Sequence, residues 1–246
     1  MSTLTNKVAV VTGSSKGIGA AIALRLADAG AKVVINYNGN KEAAEEVLDS
    51  IKGKGGEAVV IQADVSKRAD VTRLFDEAIS HFGKIDIWVN NAGVMLNAMI
   101  KDLSEDQFEK QIDINFKGVF YALQEASTKL ADNGSIINLS STVTRTIFPT
   151  YGVYSATKAA VEQLSRVFAK EIGARGINVN CVLPGPTGTD LFLKGKSEEL
   201  IAQIASNNAY KRLGTPEEIA QVVAFLATDE AKWISGQSIG ANGGMS

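Results

Sequence analysis

The stretch Tyr151–Lys158, YGVYSATK, holds two overlapping patterns that could do chemistry. Ser155 and Lys158 form S-x-x-K, a serine nucleophile with a lysine one helical turn away. Tyr154 and Lys158 form Y-x-x-x-K, a tyrosine acid beside a cation. Residues i and i+4 share a helix face, so a helix here brings phenol and ammonium together. A free phenol titrates near about 10. A nearby positive charge favours phenolate and lowers that value, which lets the group give or take a proton near neutral pH. S-x-x-K hydrolases also need S-D-N and K-T-G elements. Neither string occurs in this chain, so Ser155 is expected to be only a neighbour of the chemistry. Tyr151, two turns from Lys158, is expected to shape a substrate pocket.

A second cluster lies near the N-terminus. TGSSKGIG (12–19) spaces Gly13, Gly17 and Gly19 as G-x3-G-x-G at a strand-to-helix turn. A turn this tight, approached closely by a pyrophosphate, needs residues without Cβ, and the helix N-terminus supplies unpaired N–H groups. No G-K-[ST] ends the run, so it is not a P-loop. NAD binders often carry an acid about 20 residues further on, which binds the adenine ribose. Here the second strand ends Asn36-Tyr37-Asn38 without an acid, and Lys16 sits within the loop. Asn36, Asn38 and Lys16 therefore point to NADP(H), since neutral amides and a lysine tolerate a 2′-phosphate that a carboxylate would repel.

The elements that must position these groups alternate along the chain. Apolar runs at 7–12, 32–37, 57–64, 85–93, 134–141 and 176–185 are expected strands, and GQSIGANGG closes with a short one. Helical patterns occupy 17–30, 41–55, 69–83, 104–131 with an interruption near Asn115, 151–173, and the segment opening at Pro216. Alternation predicts an α/β fold: a Rossmann-type doubly wound parallel sheet with helices on both faces, in a single domain over 1–246. The region 186–215 is polar and carries one helical patch; it is expected to be an insert covering the substrate. The 246 residues include 25 basic and 27 acidic ones, a net charge of −2 that gives no reason to expect nucleic acid or an anionic membrane. The opening MSTLTNKVAVVTG lacks signal-peptide character, and no run reaches the ~18 apolar residues of a membrane span, so the cytoplasm is the expected location. Cys181, alone, allows no intrachain disulfide and is expected in the core; His81, alone at a helix–strand junction, offers no metal site.

TGSSKGIG, NNAG (90–93), Asn115, Ser141, YSATK and PG (184–185) occur in order over essentially the whole chain. In that order and spacing they resemble the short-chain dehydrogenase/reductase family. RLGTPEEIA and the final NGG are similar to its NADPH-dependent 3-oxoacyl-carrier-protein reductases and carbonyl reductases. The resemblance implies Tyr154 as acid, Lys158 beside it on the nicotinamide ribose, and Ser141, thirteen residues before the tyrosine, holding the carbonyl oxygen. It implies that Asn115 holds a water linked to Lys158. For the cofactor it implies Gly13, Ser15, Lys16, Gly17, Ile18 and Gly19 at the phosphates, with Asp64 and Val65 at adenine. Asn91, Ala92 and Gly93 would back the cofactor, with Pro184, Gly185, Thr187 and Thr189 around the nicotinamide. The implied activity is NADP(H)-dependent reduction of a ketone to a secondary alcohol, with a 3-oxoacyl thioester on a carrier protein or CoA as first candidate. A sugar, polyol or steroid dehydrogenase and a non-catalytic dinucleotide sensor are the alternatives. A homotetramer is implied through 104–131, 151–173 and the C-terminal segment. Leu191, Phe192, Leu200, Ile201 and 142–149 are expected around the substrate. Arg145 is either a contact for an anionic carrier or an exposed loop residue.

Overall fold

Val- and Ile-rich runs become strands because β-branched side chains pack well on a pleated surface. The computed structural model describes residues 4–246, so Met1–Thr3 of the segment read for a targeting signal lie outside the described residues. The elements are β1 (Val8–Val11), α1 (Gly17–Asp28), β2 (Lys32–Tyr37), α2 (Lys41–Gly53), β3 (Ala58–Gln62) and α3 (Arg68–Phe82). There follow β4 (Ile87–Asn90), α4 (Glu105–Ile112), α5 (Gly118–Lys129), β5 (Ser135–Leu139), α6 (Val143–Thr146) and α7 (Gly152–Ile172). The chain ends with β6 (Asn178–Pro184), α8 (Asp190–Leu193), α9 (Glu198–Ala205), α10 (Pro216–Leu226) and β7 (Ser238–Ala241).

Among the described residues seven strands form one parallel sheet, in the order β3-β2-β1-β4-β5-β6-β7. Val10 stands opposite Val34 on one side and Trp88 on the other. Because strand side chains alternate, Ala9 and Val11 enter one core layer with Ile22, Leu26, Val47 and Val223, while Val10 enters the other with Phe75, Ile136, Val161 and Phe168. Helices α1, α2 and α10 thus cover one face, and α3, α5 and α7 the other. Trp88 and Phe75 stack at 3.9 Å between ring centroids in the second layer, which also buries Cys181. Burying each such side chain stabilises the fold by roughly 1.5–3 kcal/mol.

Strand order reverses between β1 and β4, so the connections leaving their carboxyl ends run to opposite faces and open a crevice, the usual ligand position in such sheets. The loops after β1, β4, β5 and β6 all leave the sheet from this carboxyl edge. The helical pattern over 104–131 is broken by a π turn, Asp113–Lys117, which places Asn115 in the interior. The excursion between β6 and α10 is closed at its neck by a bridge between Thr187 and Gly214, and it contains α8 and α9. Helix α10 starts as its sequence predicts, with Pro216 in the first turn and a capping box between Thr215 and Glu218. Among the described residues no helix is long and apolar enough to cross a membrane. His81 lies exposed in the last turn of α3.

Candidate active site

The loop after β1 is fixed by its neighbours. Gly13 has φ 62°, a left-handed conformation, and a Cβ there would come 2.9 Å from Ala92 Cα. A Cβ on Gly19 would overlap Asn91 Nδ2 and the Gly13 carbonyl. Asn91 Nδ2 donates to the carbonyls of Thr12 (2.9 Å) and Gly13 (3.1 Å), and Thr12 Oγ1 accepts from the amides of Asn91 and Ala92. The NNAG segment is therefore braced onto the glycine loop by its own side chain. Helix α1 begins with Lys16 at its cap position, without a side-chain cap bond and without an acid in its first turn. Helices α2, α4, α9 and α10 are all capped by Asn, Ser or Thr. The free N–H groups of α1, beside Ser15 and Ile18 and with Lys16 exposed, fit a phosphate.

The expectation that Asn36 meets a 2′-phosphate is corrected. Asn36 is 1% exposed; its Oδ1 accepts from the Gly13 amide at 3.0 Å, and its Nδ2 donates to the carbonyls of Tyr37, Ile61 and Ala63. The amide is consumed in holding the glycine loop. Tyr37, the last residue of β2, and exposed Asn38 are what that strand offers to the crevice. Asp64 makes a turn: its Oδ1 accepts from the amide (3.0 Å) and hydroxyl (2.7 Å) of Ser66. Val65 packs on α5, its carbonyl 3.0 Å from where a Cβ of Gly118 would stand.

Beyond β6, Gly185 lies against the C-terminal segment, with room for a Cβ denied by Asn242. Thr187 Oγ1 donates to the Gly185 carbonyl at 2.9 Å, and Thr189 caps α8. The Thr189 methyl comes within 3.5 Å of the Cβ position of Gly17. The segment Pro184–Thr189 thus reaches over the glycine loop and narrows the crevice from the far side.

Between these walls stand Ser141, Tyr154 and Lys158. Helix α7 places Tyr154 and Lys158 one turn apart, with the Lys158 ammonium 5.8 Å from the tyrosine ring centroid. Lys158 is 5% exposed and Nζ donates to the Leu139 carbonyl at 2.7 Å. Nζ is also 3.5 Å from the Cβ position of Gly93. The expected lowering of the phenol by this lysine does not prevail here. Burial pushes Tyr154 up to about 12, and its hydrogen bond with Ser141 works against that only in part. Burial likewise drives the Lys158 ammonium down to about 8. Ser140 and Ser141 diverge as alternation predicts: Ser140 is 4% exposed and turns toward α7, while Ser141 is partly exposed at the crevice. Ser155 Oγ donates to the Val143 carbonyl at 3.1 Å, which removes it from any nucleophile role.

Asn115 is fully buried, but its side chain is committed. Oδ1 accepts from the Val94 amide at 2.8 Å, and Nδ2 donates to the Val94 carbonyl at 2.9 Å and reaches Thr157 Oγ1 at 3.3 Å. The side chain thereby fixes Val94 and α7 around Gly93. Arg145 is exposed and its guanidinium donates to the Ser238 carbonyl at 3.0 Å, so it is anchored to β7. Tyr151 meets Tyr154 edge-on, with Phe148 on its other side. The bracing by Thr12, Thr157 and Asn242 was not anticipated. Only the threonine before Gly13 carried a local signal, since a hydroxyl at a strand end seeks backbone partners.

A family model described as enoyl-(acyl carrier protein) reductase matches residues 13–246. The chain is 43% identical to the 3-oxoacyl-[acyl-carrier-protein] reductase of Staphylococcus epidermidis, over 98% of this chain and 99% of that one. It is 42% identical to an NADPH-dependent aldehyde reductase-like chloroplastic protein of Arabidopsis thaliana, over 98% of this chain and 94% of that one. A solved short-chain dehydrogenase/reductase from Serratia marcescens superposes with a TM-score of 0.95 at 39% identity, over 99% of each chain.

Proposed function

The chain belongs to the short-chain dehydrogenase/reductase family and is an oxidoreductase, and from that premise we propose that it uses NADP(H) to reduce a ketone to a secondary alcohol. The observation that carries the reading is Tyr154 and Lys158 one turn apart on α7, the ammonium 5.8 Å from the phenol ring centroid, with Ser141 beside the phenol at the carboxyl ends of the strands. A phenol held at about 12 stays protonated at neutral pH, the state required to hand a proton to a carbonyl oxygen. Ser141 holds that oxygen by a hydrogen bond as negative charge develops on it. Lys158 binds the nicotinamide ribose, and its charge opposes the burial that keeps the phenol protonated. Asn115 positions the floor beside Gly93. The dinucleotide supplies the hydride when bound.

The glycine loop with Lys16, the Asn91–Gly93 segment, Asp64–Val65 and Pro184–Thr189 would hold that dinucleotide. NADP is favoured over NAD by the lack of an acid at Tyr37 and Asn38 and by the exposed Lys16. The name of the Arabidopsis relative agrees. The relative named for 3-oxoacyl-carrier substrates makes a 3-oxoacyl thioester the first candidate. Sugars, polyols and steroids remain the alternative on the same machinery. The segment 186–215 covers the substrate, with Leu191, Leu193 and Leu200 exposed for that purpose. A homotetramer in the cytoplasm, formed through α4, α5, α7 and the C-terminal segment, is consistent with exposed Phe108, Phe120 and Val167 on those helices.

The deciding experiment follows NADPH and NADH oxidation with acetoacetyl and crotonyl thioesters, diketones and keto sugars. Turnover of a ketone with NADPH is the expected result. Turnover of the crotonyl thioester alone would make this an enoyl reductase. Tight NADPH binding without turnover of any substrate would favour the sensor.

A further inference from the structure

Glu162 is a carboxylate in the interior, 7% exposed, one turn beyond Lys158 on the buried face of α7. Among the described residues it forms no ion pair. Burying an anion without a cation is unfavourable unless hydrogen bonds hold it. Two hydroxyls do so at one oxygen: Ser140 Oγ and Thr144 Oγ1 each lie 2.8 Å from Oε1. These residues bracket Ser141 in the chain. Each hydroxyl also touches the backbone of the site. Ser140 Oγ is 3.3 Å from the Lys158 carbonyl, and Thr144 Oγ1 is 3.0 Å from the Ser141 carbonyl. One carboxylate oxygen therefore ties the loop that carries Ser141 to the turn of α7 that carries Lys158. Packing alone does not call for a charge here, since Val161, Ser165 and Phe168 continue the same buried face.

We propose that Glu162 is a positioning residue for the reaction: by gripping Ser140 and Thr144 it sets Ser141 against Tyr154, without itself touching substrate or cofactor. The proposal rests on the reading that Ser141 and Tyr154 act together on a carbonyl oxygen. Displacing a catalytic group by about 1 Å costs up to about a hundredfold in rate. Loss of the grip should therefore appear in kcat and not in cofactor binding.

The test compares Glu162→Ala, Glu162→Gln and the double variant Ser140→Ala/Thr144→Val. Glu162→Ala is expected to lower kcat about tenfold to a hundredfold, with KM and the NADPH dissociation constant changed less than about threefold. Glu162→Gln keeps an acceptor at Oε1 and is expected to recover most of the rate. The double variant should reproduce the Glu162→Ala loss, and adding Glu162→Ala to it should cost little more, as for residues acting as one unit. A Glu162→Ala kcat within about twofold of the parent, or a Gln variant as impaired as the Ala one, overturns the proposal. Crystal structures give a readout independent of turnover: Ser141 should leave Tyr154 in Glu162→Ala and stay beside it in Glu162→Gln. An unmoved Ser141 overturns the proposal even where the parent reduces no ketone, an outcome that instead overturns the functional reading. Should Glu162→Ala not fold, the double variant carries both measurements.

Discussion

On the β1–β2 side of the crevice, Thr12, Ser14, Asn36 and Asn91 spend their side-chain polar atoms on the backbone of that same wall. On the side beyond β5, Ile147 is 82% exposed at φ 50°, Thr150 has φ 74°, and Ile100 is 81% exposed. A β-branched residue at positive φ is strained, and such strain persists only where surroundings enforce it. The first wall is complete within the protein; the second presents apolar surface that lacks a partner among the described residues. The contrast fits the proposed function, in which the first wall holds the dinucleotide and the second the substrate. A dinucleotide has fixed dimensions and rewards a rigid, pre-organised cradle. The substrate wall is where relatives with one catalytic machinery can differ.

The largest break in this comparison comes from removing the acid at the junction of the two walls. Tyr154→Phe should lower kcat by about 10²- to 10⁴-fold, the usual contribution of a positioned proton donor. NADPH affinity, set by the first wall, should change less than about threefold, measured by cofactor fluorescence. Retained turnover would remove Tyr154 from the role. Striking the first wall should have the opposite signature. Asn36→Asp sets a carboxylate against three carbonyls that now receive an N–H, at a cost of about 2–4 kcal/mol in stability. Denaturant unfolding should show that loss together with weaker NADPH binding, and an unchanged midpoint would contradict the bracing role.

How much of this was legible in the sequence differs between the walls for a physical reason. Gly13, Gly17 and Gly19 could be found because backbone geometry there dictates residue type. The interruption of the 104–131 helical pattern near Asn115 was legible, and the structure places a π turn there. The strands were read too long, 134–141 against the observed Ser135–Leu139, since the apolar run outlasts the hydrogen-bonded ladder. The role of Asn36 was inverted, because a neutral amide at a strand end does not announce which way it points. Glu162 and Asn242 were silent: their partners are 18 to 22 residues away in one case and 100 in the other, and only the folded topology brings them together.

Lys158 sharpens the comparison by showing that the junction is held at the expense of stability. Its ammonium is driven from 10.5 to about 8 by burial. Between those values the unfolded chain binds a proton that the folded chain has released, so stability rises with pH across that window and falls as pH drops through about 8. Below it both states are charged and the full cost persists. Lys158→Met removes that cost but also the bond to the Leu139 carbonyl, for a net gain of about 2 kcal/mol at pH 7. The gain should shrink steadily toward pH 10 in urea melts, while ketone reduction is lost. A variant less stable than the parent at pH 7 would mean that the lysine stabilises the fold.

The smallest effect concerns which dinucleotide the first wall accepts, and the correction at Asn36 moves its test by one residue. Tyr37 ends β2 at the crevice and is only partly buried, so an acid there meets the cofactor without disturbing the amide that braces the glycine loop. A carboxylate at that point accepts hydrogen bonds from an adenine ribose and repels a 2′-phosphate. Tyr37→Asp should lower the ratio of kcat/KM for NADPH over NADH by about tenfold, equivalent to about 1.4 kcal/mol. The value of kcat for a saturating ketone should stay within about threefold, since the second wall is untouched. If the ratio does not move while the fold is retained, the selectivity lies elsewhere, and exposed Lys16 is the next residue to remove.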